Sequence, residues 1–376
     1  MKNSIIVPAF NEEEGLPIVL RGIFSIIDDT FEVIVVDDCS TDRTREVAQE
    51  FPCRLIRRDG NRGKGRALRT GIANAQGENV IWIDADATYP TEVIPQMVAG
   101  LATHDVVVCS RAGGREHIPI INRLGNAILS MLTQRIYGFK ASDPCTGAWA
   151  VKKRFLDMME LTSAGFEIET EVAIKSARMG LRTMEISLDY RPRVGMSKLG
   201  GIKAGYAILK TIMGSLIVYN PTLLFVLPGS LLLVIGVALI GWFLAKPLPE
   251  LDKPQEFIIM VSAVLATLIG LQIAIFGIAA QLYASVHKFT TSGRLTRFLL
   301  AKHGRRLIVV AGIVAVCTGL GLVLSIMPYH IPSGSARFVD IYEQTKLAVP
   351  ALVAGLFGVE MLLSAIFLSI FRPKEE

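Results

Sequence analysis

Short apolar runs alternate with amphipathic stretches through the first half of the chain, and long apolar runs fill the second half. Ile5-Ile6-Val7 and Glu32-Val33-Ile34-Val35-Val36-Asp37-Asp38 are strand-length runs, the second ending in acidic residues suited to a turn. Between them, residues 12–27 place Leu16, Val19, Leu20, Ile23 and Ile26 at helical spacing. The same alternation predicts a helix over 41–50, a strand over 53–56, a helix over 63–75, a strand over 80–83, a helix over 90–102 and a strand over 105–109. Alternation at this period predicts a mostly parallel α/β sheet, with ligands at the carboxyl ends of its strands.

The pattern changes at Thr222. Residues 222–245, 257–286, 307–327 and 347–371 are apolar stretches, each long enough for a bilayer, which takes about 20 residues. Lys288, Arg294, Arg297, Lys302, Arg305 and Arg306 lie between the second and third stretches; the other two loops hold only Lys246 and Lys253, and Arg337 and Lys346. The basic loop is expected in the cytosol, and four crossings put the N-terminal domain and the C-terminal tail there too. Glu360 falls within the fourth stretch. It reads as a packing partner for Gln272 or as a protonated carboxyl within a bundle. No charged series, broken-helix pair or inverted repeat suggests a transporter. Residues 120–139 and 200–220 mix apolar positions with Arg123, Arg135, Lys203 and Lys210. Each suits either a helix lying in a membrane interface or ordinary core packing, and the position of 200–220 just before the bilayer favours the interface.

Composition agrees with this division. The chain has 376 residues, a formal charge of +5 and 51% hydrophobic residues. The expected organisation is a soluble domain over 1–199, an interfacial helix over 200–221 and a four-helix membrane domain over 222–376. Cys39, Cys53, Cys109, Cys145 and Cys317 form neither a CxxC pair nor a zinc pattern, which suits a reduced, cytosolic soluble domain. The opening apolar run is short and ends in Pro8, so a strand is expected there and not a secretory signal. No nucleic-acid partner is expected.

The chemistry concentrates at the predicted strand ends: Asn11 and Glu12, Asp37 and Asp38, and Asp84-Ala85-Asp86. The first turn lacks the GxGxxG of a dinucleotide-binding unit. Gly60-Asn61-Arg62-Gly63-Lys64-Gly65 lacks the Ser or Thr of a phosphate-binding Walker loop. That glycine-rich segment reads either as a flexible turn carrying Lys64 or Arg66 to a phosphate, or as a plain surface turn. Two carboxylates one residue apart at a strand end suit Mg²⁺ or Mn²⁺, hard cations that share their coordination with substrate phosphates.

Val-Pro-Ala-Phe-Asn-Glu, Val-Asp-Asp-Cys-Ser-Thr-Asp, Gly-Lys-Gly and Asp-Ala-Asp occur in this order, and the set resembles glycosyltransferase family 2 with its GT-A fold. Ser110-Arg111, Asn122-Arg123, Ser142-Asp143-Pro144, Phe166-Glu167-Ile168-Glu169-Thr170-Glu171 and Arg193-Val194-Gly195-Met196-Ser197-Lys198 are similar to the dolichyl-phosphate mannose and glucose synthases and their prokaryotic polyprenyl-phosphate relatives. The resemblance covers about residues 3–215. It implies a metal-dependent, inverting hexosyltransferase that moves a sugar from UDP-glucose, UDP-GlcNAc or GDP-mannose to a dolichyl or polyprenyl phosphate. It implies nucleotide-sugar contacts from Pro8, Ala9, Asn11, Glu12, Asp38, Lys64 and Asp84, and a metal held by Asp84 and Asp86. Asp86, Arg111 and Arg123 would act in catalysis, with Arg111, Arg123, Arg193 and Lys198 gripping phosphates. Glu167, Glu169 and Glu171 are candidates to read sugar hydroxyls, at least one of them lying on the surface. Ala87-Thr88-Tyr89-Pro90 stands where mannosyl-transferring relatives often have Leu-Gln, which points to a UDP-sugar. The partners implied are the donor, the lipid phosphate and the bilayer of a cell membrane or endoplasmic reticulum, with self-association left open. The rival readings are transfer to another membrane lipid or a growing polysaccharide, and a non-catalytic membrane carrier. The Gln-X-X-Arg-Trp motif of processive synthases is absent.

Overall fold

The computed structural model describes residues 2–60, 63–195, 201–245, 254–286, 298, 302–326 and 338–370. They fall into two compact units, Met1–Ser215 and Leu216–Glu376.

The first unit is built on seven strands: β1 (Asn3–Ala9), β2 (Phe31–Asp37), β3 (Arg54–Arg57), β4 (Asn79–Trp82), β5 (Val106–Gly113), β6 (Trp149–Lys152) and β7 (Thr183–Asp189). Their order in the sheet is β3-β2-β1-β4-β6-β5-β7. Pairing is parallel except where β6 runs antiparallel to both β4 and β5, so the mostly parallel sheet expected from the pattern is present. Ile5 opposite Val33 and Ile6 opposite Ile34 set the register of the first pair. That register brings Ala9 level with Asp37, so the polar residues after both strands emerge at one edge.

The helices between the strands are α1 (Leu16–Phe24), α2 (Thr44–Gln49), α3 (Lys64–Asn74), α4 (Ile94–Leu101), α5 (Ile120–Tyr137), α6 (Lys153–Met158), α7 (Ile168–Arg178) and α8 (Gly201–Tyr219). Two differ instructively from the periodicity. The helix expected over 12–27 begins only at Leu16, because Asn11 adopts a left-handed backbone (φ 52°) and the chain turns there. The one expected over 90–102 opens as a 3₁₀ turn at Thr91–Val93 and becomes α4 with Pro95 in its first turn, where a missing N–H costs nothing.

Two apolar layers cover the sheet. Leu16, Val19, Leu20 and Ile23 of α1 pack with Ile94, Met97 and Leu101 of α4 against Ile5, Val7 and Ile81 on one face. Leu68 and Ile72 of α3 and Ile168 and Val172 of α7 cover the other. There Trp82 of β4 stacks on Trp149 of β6, ring centroids 5.9 Å apart, which locks the antiparallel strand beside the strand that carries the acidic motif.

α5 and α8 are each two-faced. Leu129, Thr133 and Tyr137 of α5 are buried, and the Tyr137 hydroxyl donates to the Ile212 carbonyl of α8. The opposite stripe of α5, Ile120 (74% exposed), Leu124 (64%), Ile128 and Met131, lies open, as do Tyr206, Leu209, Met213 and Ile217 of α8. Core packing and an exposed apolar face therefore coexist on both helices.

The second unit holds α9 (Leu227–Ala245), α10 (Pro254–Val286), α11 (Lys302–Ile326) and α12 (Phe338–Ile370), with a π-helical turn at Thr222–Val226 ahead of α9. Among the described residues, Thr222–Ala245, Ile258–Ser285 and Arg306–Ser325 are long and apolar enough to cross a membrane, and Pro350–Ile366 within α12 is a shorter apolar stretch. Lys288, Arg294 and Arg297 of the basic loop lie outside the described residues.

Candidate active site

A cleft opens at the carboxyl ends of β1, β2 and β4, where the parallel sheet releases its chain into loops. Pro8, Ala9 and Glu12 line it from β1, Asp38 from β2, Asp84 and Asp86 from β4, and Gly63, Lys64, Phe166 and Arg193 complete the wall. Asp38 ties the glycine-rich segment down: one carboxylate oxygen accepts from the Gly63 N–H at 2.8 Å, the other from Arg58 at 2.8 Å. Gly63 sits at φ +98°, a conformation open to glycine, and a methyl group there would stand 2.6 Å from the Ala164 carbonyl. The 63–65 stretch is therefore packed against the chain and is no surface turn. It threads between β2 and the 162–165 loop and delivers Lys64 inward.

The Lys64 ammonium lies 2.6 Å from Asp84 Oδ1 and 2.6 Å from Glu169 Oε1, with the Phe166 ring beneath it. Burial alone would lower the Lys64 pKa, but Asp84 and then Glu169 more than offset it, and the amine stays charged. Burial raises both Asp84 and Glu169 above the ordinary carboxylate range, and Lys64 pulls each back only in part, since one cation serves two acids. Arg193 plays the matching role across the cleft, 2.6 Å from Glu12 and 2.7 Å from Asp86. The second Asp86 oxygen accepts from the Thr88 hydroxyl (2.6 Å) and N–H (3.1 Å). Thr88 therefore braces the acid.

A second cleft lies nearby in the same unit. Arg111 and Arg123 line it, together with Ser110, Asn126, Ser130 and Asp143. Arg111 is held in a two-point grip, Nε and Nη2 at 2.7 and 2.8 Å from the two Asp143 oxygens, and its guanidinium lies over the Tyr190 ring at 5.7 Å. Arg123 is exposed and makes no ion pair among the described residues. Burial pushes the nearby Cys145 thiol, like Cys109, up to about 12, which leaves neither as a thiolate nucleophile at neutral pH.

The structure thus gathers Pro8, Ala9, Glu12, Asp38, Lys64, Asp84, Asp86 and Arg193 in one cleft, and Arg111 and Arg123 in the other. Arg193, expected to grip a phosphate of either the lipid acceptor or the leaving nucleotide, lines the first cleft. Asn11 does not line it; its side-chain oxygen accepts from the Thr41 N–H at 2.8 Å. Lys198 lies outside the described residues. The expectation that one of Glu167, Glu169 and Glu171 lies on the surface is corrected. Glu169 (2% exposed) and Glu171 are buried and Glu167 is half-buried. Glu171 accepts from the Thr162 and Ser163 N–H groups and pairs with Lys175 at 2.8 Å; Glu167 accepts from the Ala164 and Gly165 N–H groups. These two acids shape the loop that packs on Gly63, and only Glu169 reaches the cleft chemistry. Sequence reasoning passed over Asp143, Phe166 and Tyr190 as site residues, although Asp143 and Phe166 stand in motifs it had singled out.

Residues 4–158 match the family model described as glycosyl transferase family 2, and residues 278–372 that of the glycosyltransferase family 2 C-terminal transmembrane region. Glycosyltransferase AglJ of Haloferax volcanii is 31% identical over 292 residues, covering 76% of this chain and 94% of that protein. The chain belongs to glycosyltransferase family 2. The sheet of this glycosyltransferase is accordingly the mixed α/β sheet of the GT-A type. A dolichyl-phosphate hexose transferase of the same organism is 32% identical over 212 residues, 56% of this chain and 92% of that one. A dolichol-phosphate mannosyltransferase of Pyrococcus furiosus is 34% identical over 218 residues, 54% of this chain and 60% of that one.

Proposed function

We propose that this glycosyltransferase moves a hexose from a nucleotide sugar to a polyprenyl or dolichyl phosphate, with inversion at the anomeric carbon. One observation carries the reading: the same unit holds two clefts of opposite charge excess. The first sets Glu12, Asp38, Asp84 and Asp86 against Lys64 and Arg193. An anionic diphosphate does not enter such an acidic cleft alone, but it does so with a divalent cation. Asp84 and Asp86 offer a hard-oxygen pair that fits Mg²⁺ or Mn²⁺ sharing its coordination with a diphosphate. Bound there, the metal would neutralise the charge that grows on the leaving nucleoside diphosphate. The second cleft sets Arg111 and Arg123 against Asp143 alone, and its positive excess suits an incoming phosphate.

The remaining chemistry falls to the chain's own side chains. The acceptor phosphate, whose second pKa is about 6, arrives as a nucleophile and needs holding and aiming more than a base. Arg111, fixed by Asp143 and Tyr190, and Arg123 hold it. Its oxygen attacks C1 of the sugar as the C1–oxygen bond to the diphosphate breaks, giving a sugar–phospholipid and a free nucleoside diphosphate. The names of the curated relatives favour this acceptor, and so does the apolar C-terminal unit. Thr88 and Tyr89 favour a UDP-sugar. The exposed stripes of α5 and α8 suit the membrane interface, with the catalytic unit on the cytosolic side of the basic loop.

The deciding experiment incubates purified full-length protein with Mn²⁺, a polyprenyl phosphate and a panel of nucleotide sugars, and weighs the lipid products. One donor, a UDP-sugar foremost, is expected to yield a lipid carrying one hexose. Transfer to diacylglycerol or to oligosaccharide in place of lipid phosphate, or no product from any donor, overturns the reading.

A further inference from the structure

The membrane unit repeats itself. α9 and α10 pack antiparallel through small residues: a methyl group on Gly229 would stand 2.5 Å from the Ala274 nitrogen, and one on Gly236 would stand 2.6 Å from the Thr267 nitrogen. α11 and α12 pack the same way, Gly312 against Leu362 and Gly358, Gly319 against Gly355 and Ala351. The two sets correspond contact by contact. Gly270 faces Leu233 and Gly229 in the first hairpin, and Gly358 faces Val316 and Gly312 in the second. In both, the two glycines of the leading helix lie two turns apart and meet the same staggered row on the returning helix.

The sequences correspond in that register. Ala263, Ala266, Leu268 and Gly270 of α10 match Ala351, Ala354, Leu356 and Gly358 of α12. In the same alignment Gln272 falls on Glu360, and these two residues, 88 apart, hydrogen-bond to each other at 3.0 Å. Val353 packs on the cluster of Met260, Ala263 and Val264, so the step from Val353 to Glu360 along α12 runs beside the step from Val264 to Gln272 along α10. The returning helices thus run parallel. A residue that touches its own counterpart marks a twofold-like axis along the helices, distinct from the inverted repeats of transporters.

We propose that the membrane unit is one helical hairpin present twice, and that Gln272 and Glu360 are the contact by which the two copies recognise each other. Each hairpin closes on itself through glycine packing, the usual basis of helix association in lipid. Gln272 of the first hairpin and Glu360 of the second reach across to each other, and each satisfies the other. Glu360 is then a joint between hairpins, and pairing the two hairpins gives each of these polar groups a hydrogen-bond partner.

Full-length protein in detergent, carrying single, swapped and double substitutions, tests this through thermal stability. Gln272→Leu and Glu360→Leu each leave one polar group without its partner, and each is expected to lower the folded bundle's equilibrium about three- to twentyfold. The swap, Gln272→Glu with Glu360→Gln, is expected to stay within about twofold of the parent. The double leucine variant is expected to recover most of the single loss, since both polar groups leave together. A swap as damaging as Glu360→Leu overturns the proposal, because Glu360 would then act on something other than Gln272. Additive losses in the double leucine variant overturn it as well. These readouts do not involve sugar transfer, so they stand or fall apart from the proposed activity.

Discussion

The two clefts of the first unit use the same residue types to opposite effect. In the first, each cation bridges two acids: Lys64 between Asp84 and Glu169, Arg193 between Glu12 and Asp86. In the second, Asp143 grips Arg111 and leaves Arg123 over. Basic residues in a motif therefore do not by themselves signal an anion site. What decides is the count of carboxylates around each, and burial amplifies the difference because charges interact more strongly away from water. The acid-rich cleft needs a cation with its ligand, and the base-rich cleft does not.

The sharpest way to break this contrast is at Asp86. Asp86→Ala and Asp86→Asn are expected to lower lipid-sugar formation by at least about 10²-fold, read from initial rates; near-parental rates from either remove the metal role. Arg193→Ala tests the same acid from the other side. With its counter-ion gone, the cleft is expected to bind Mn²⁺ about tenfold more tightly without nucleotide, measured by calorimetry, while transfer falls. In the base-rich cleft, Arg123→Ala is expected to raise the KM for lipid phosphate about tenfold, the worth of one charge-assisted hydrogen bond. Nucleotide affinity should not change; a matching loss there would merge the two clefts into one site.

Gly147→Ala probes position and not charge. Its methyl group would stand 2.1 Å from Asp84 Oδ2, so a several-fold fall in kcat is expected, with the melting temperature lowered only slightly. The smallest effect concerns Glu171. Burial raises its pKa, but hydrogen bonds from Lys175 and Ser163 outweigh this and leave it below the usual glutamate value. A depressed acid stabilises the fold above its unfolded pKa of about 4.3, and that support fades as pH drops through the lower folded value. Glu171→Gln should cost about 1 kcal/mol at neutral pH and flatten the acid limb of a stability–pH curve.

Much of the first unit's fold was legible because α1, α3 and the first strands carry their own periodicity. Leu16 to Ile23 and Val33 to Val36 are patterned by burial on one side or on both. Strands β6 and β7 were not foreseen: Trp149 to Lys152 is a run of four, too short to announce itself, and it is a strand only because β4 and β5 flank it. The same holds at the site. Asp84-Ala85-Asp86 at a strand end was visible as a motif, whereas the pairing of Lys64 with Glu169 depends on a helix brought in from a hundred residues further along the chain.

By itself, then, the sequence determined the strand–helix alternation, the acidic pair at the end of β4, the arginines at 111 and 123, and the change to membrane-spanning composition. Each of these is a property of neighbouring residues, written in local period and composition. Only the tertiary structure decided which acid meets which base, that Arg193 belongs with Asp86, and that Gln272 meets its own counterpart in Glu360. Those are pairings across long stretches of chain, and their energies exist only once the sheet and the hairpins have brought the partners within a few ångströms.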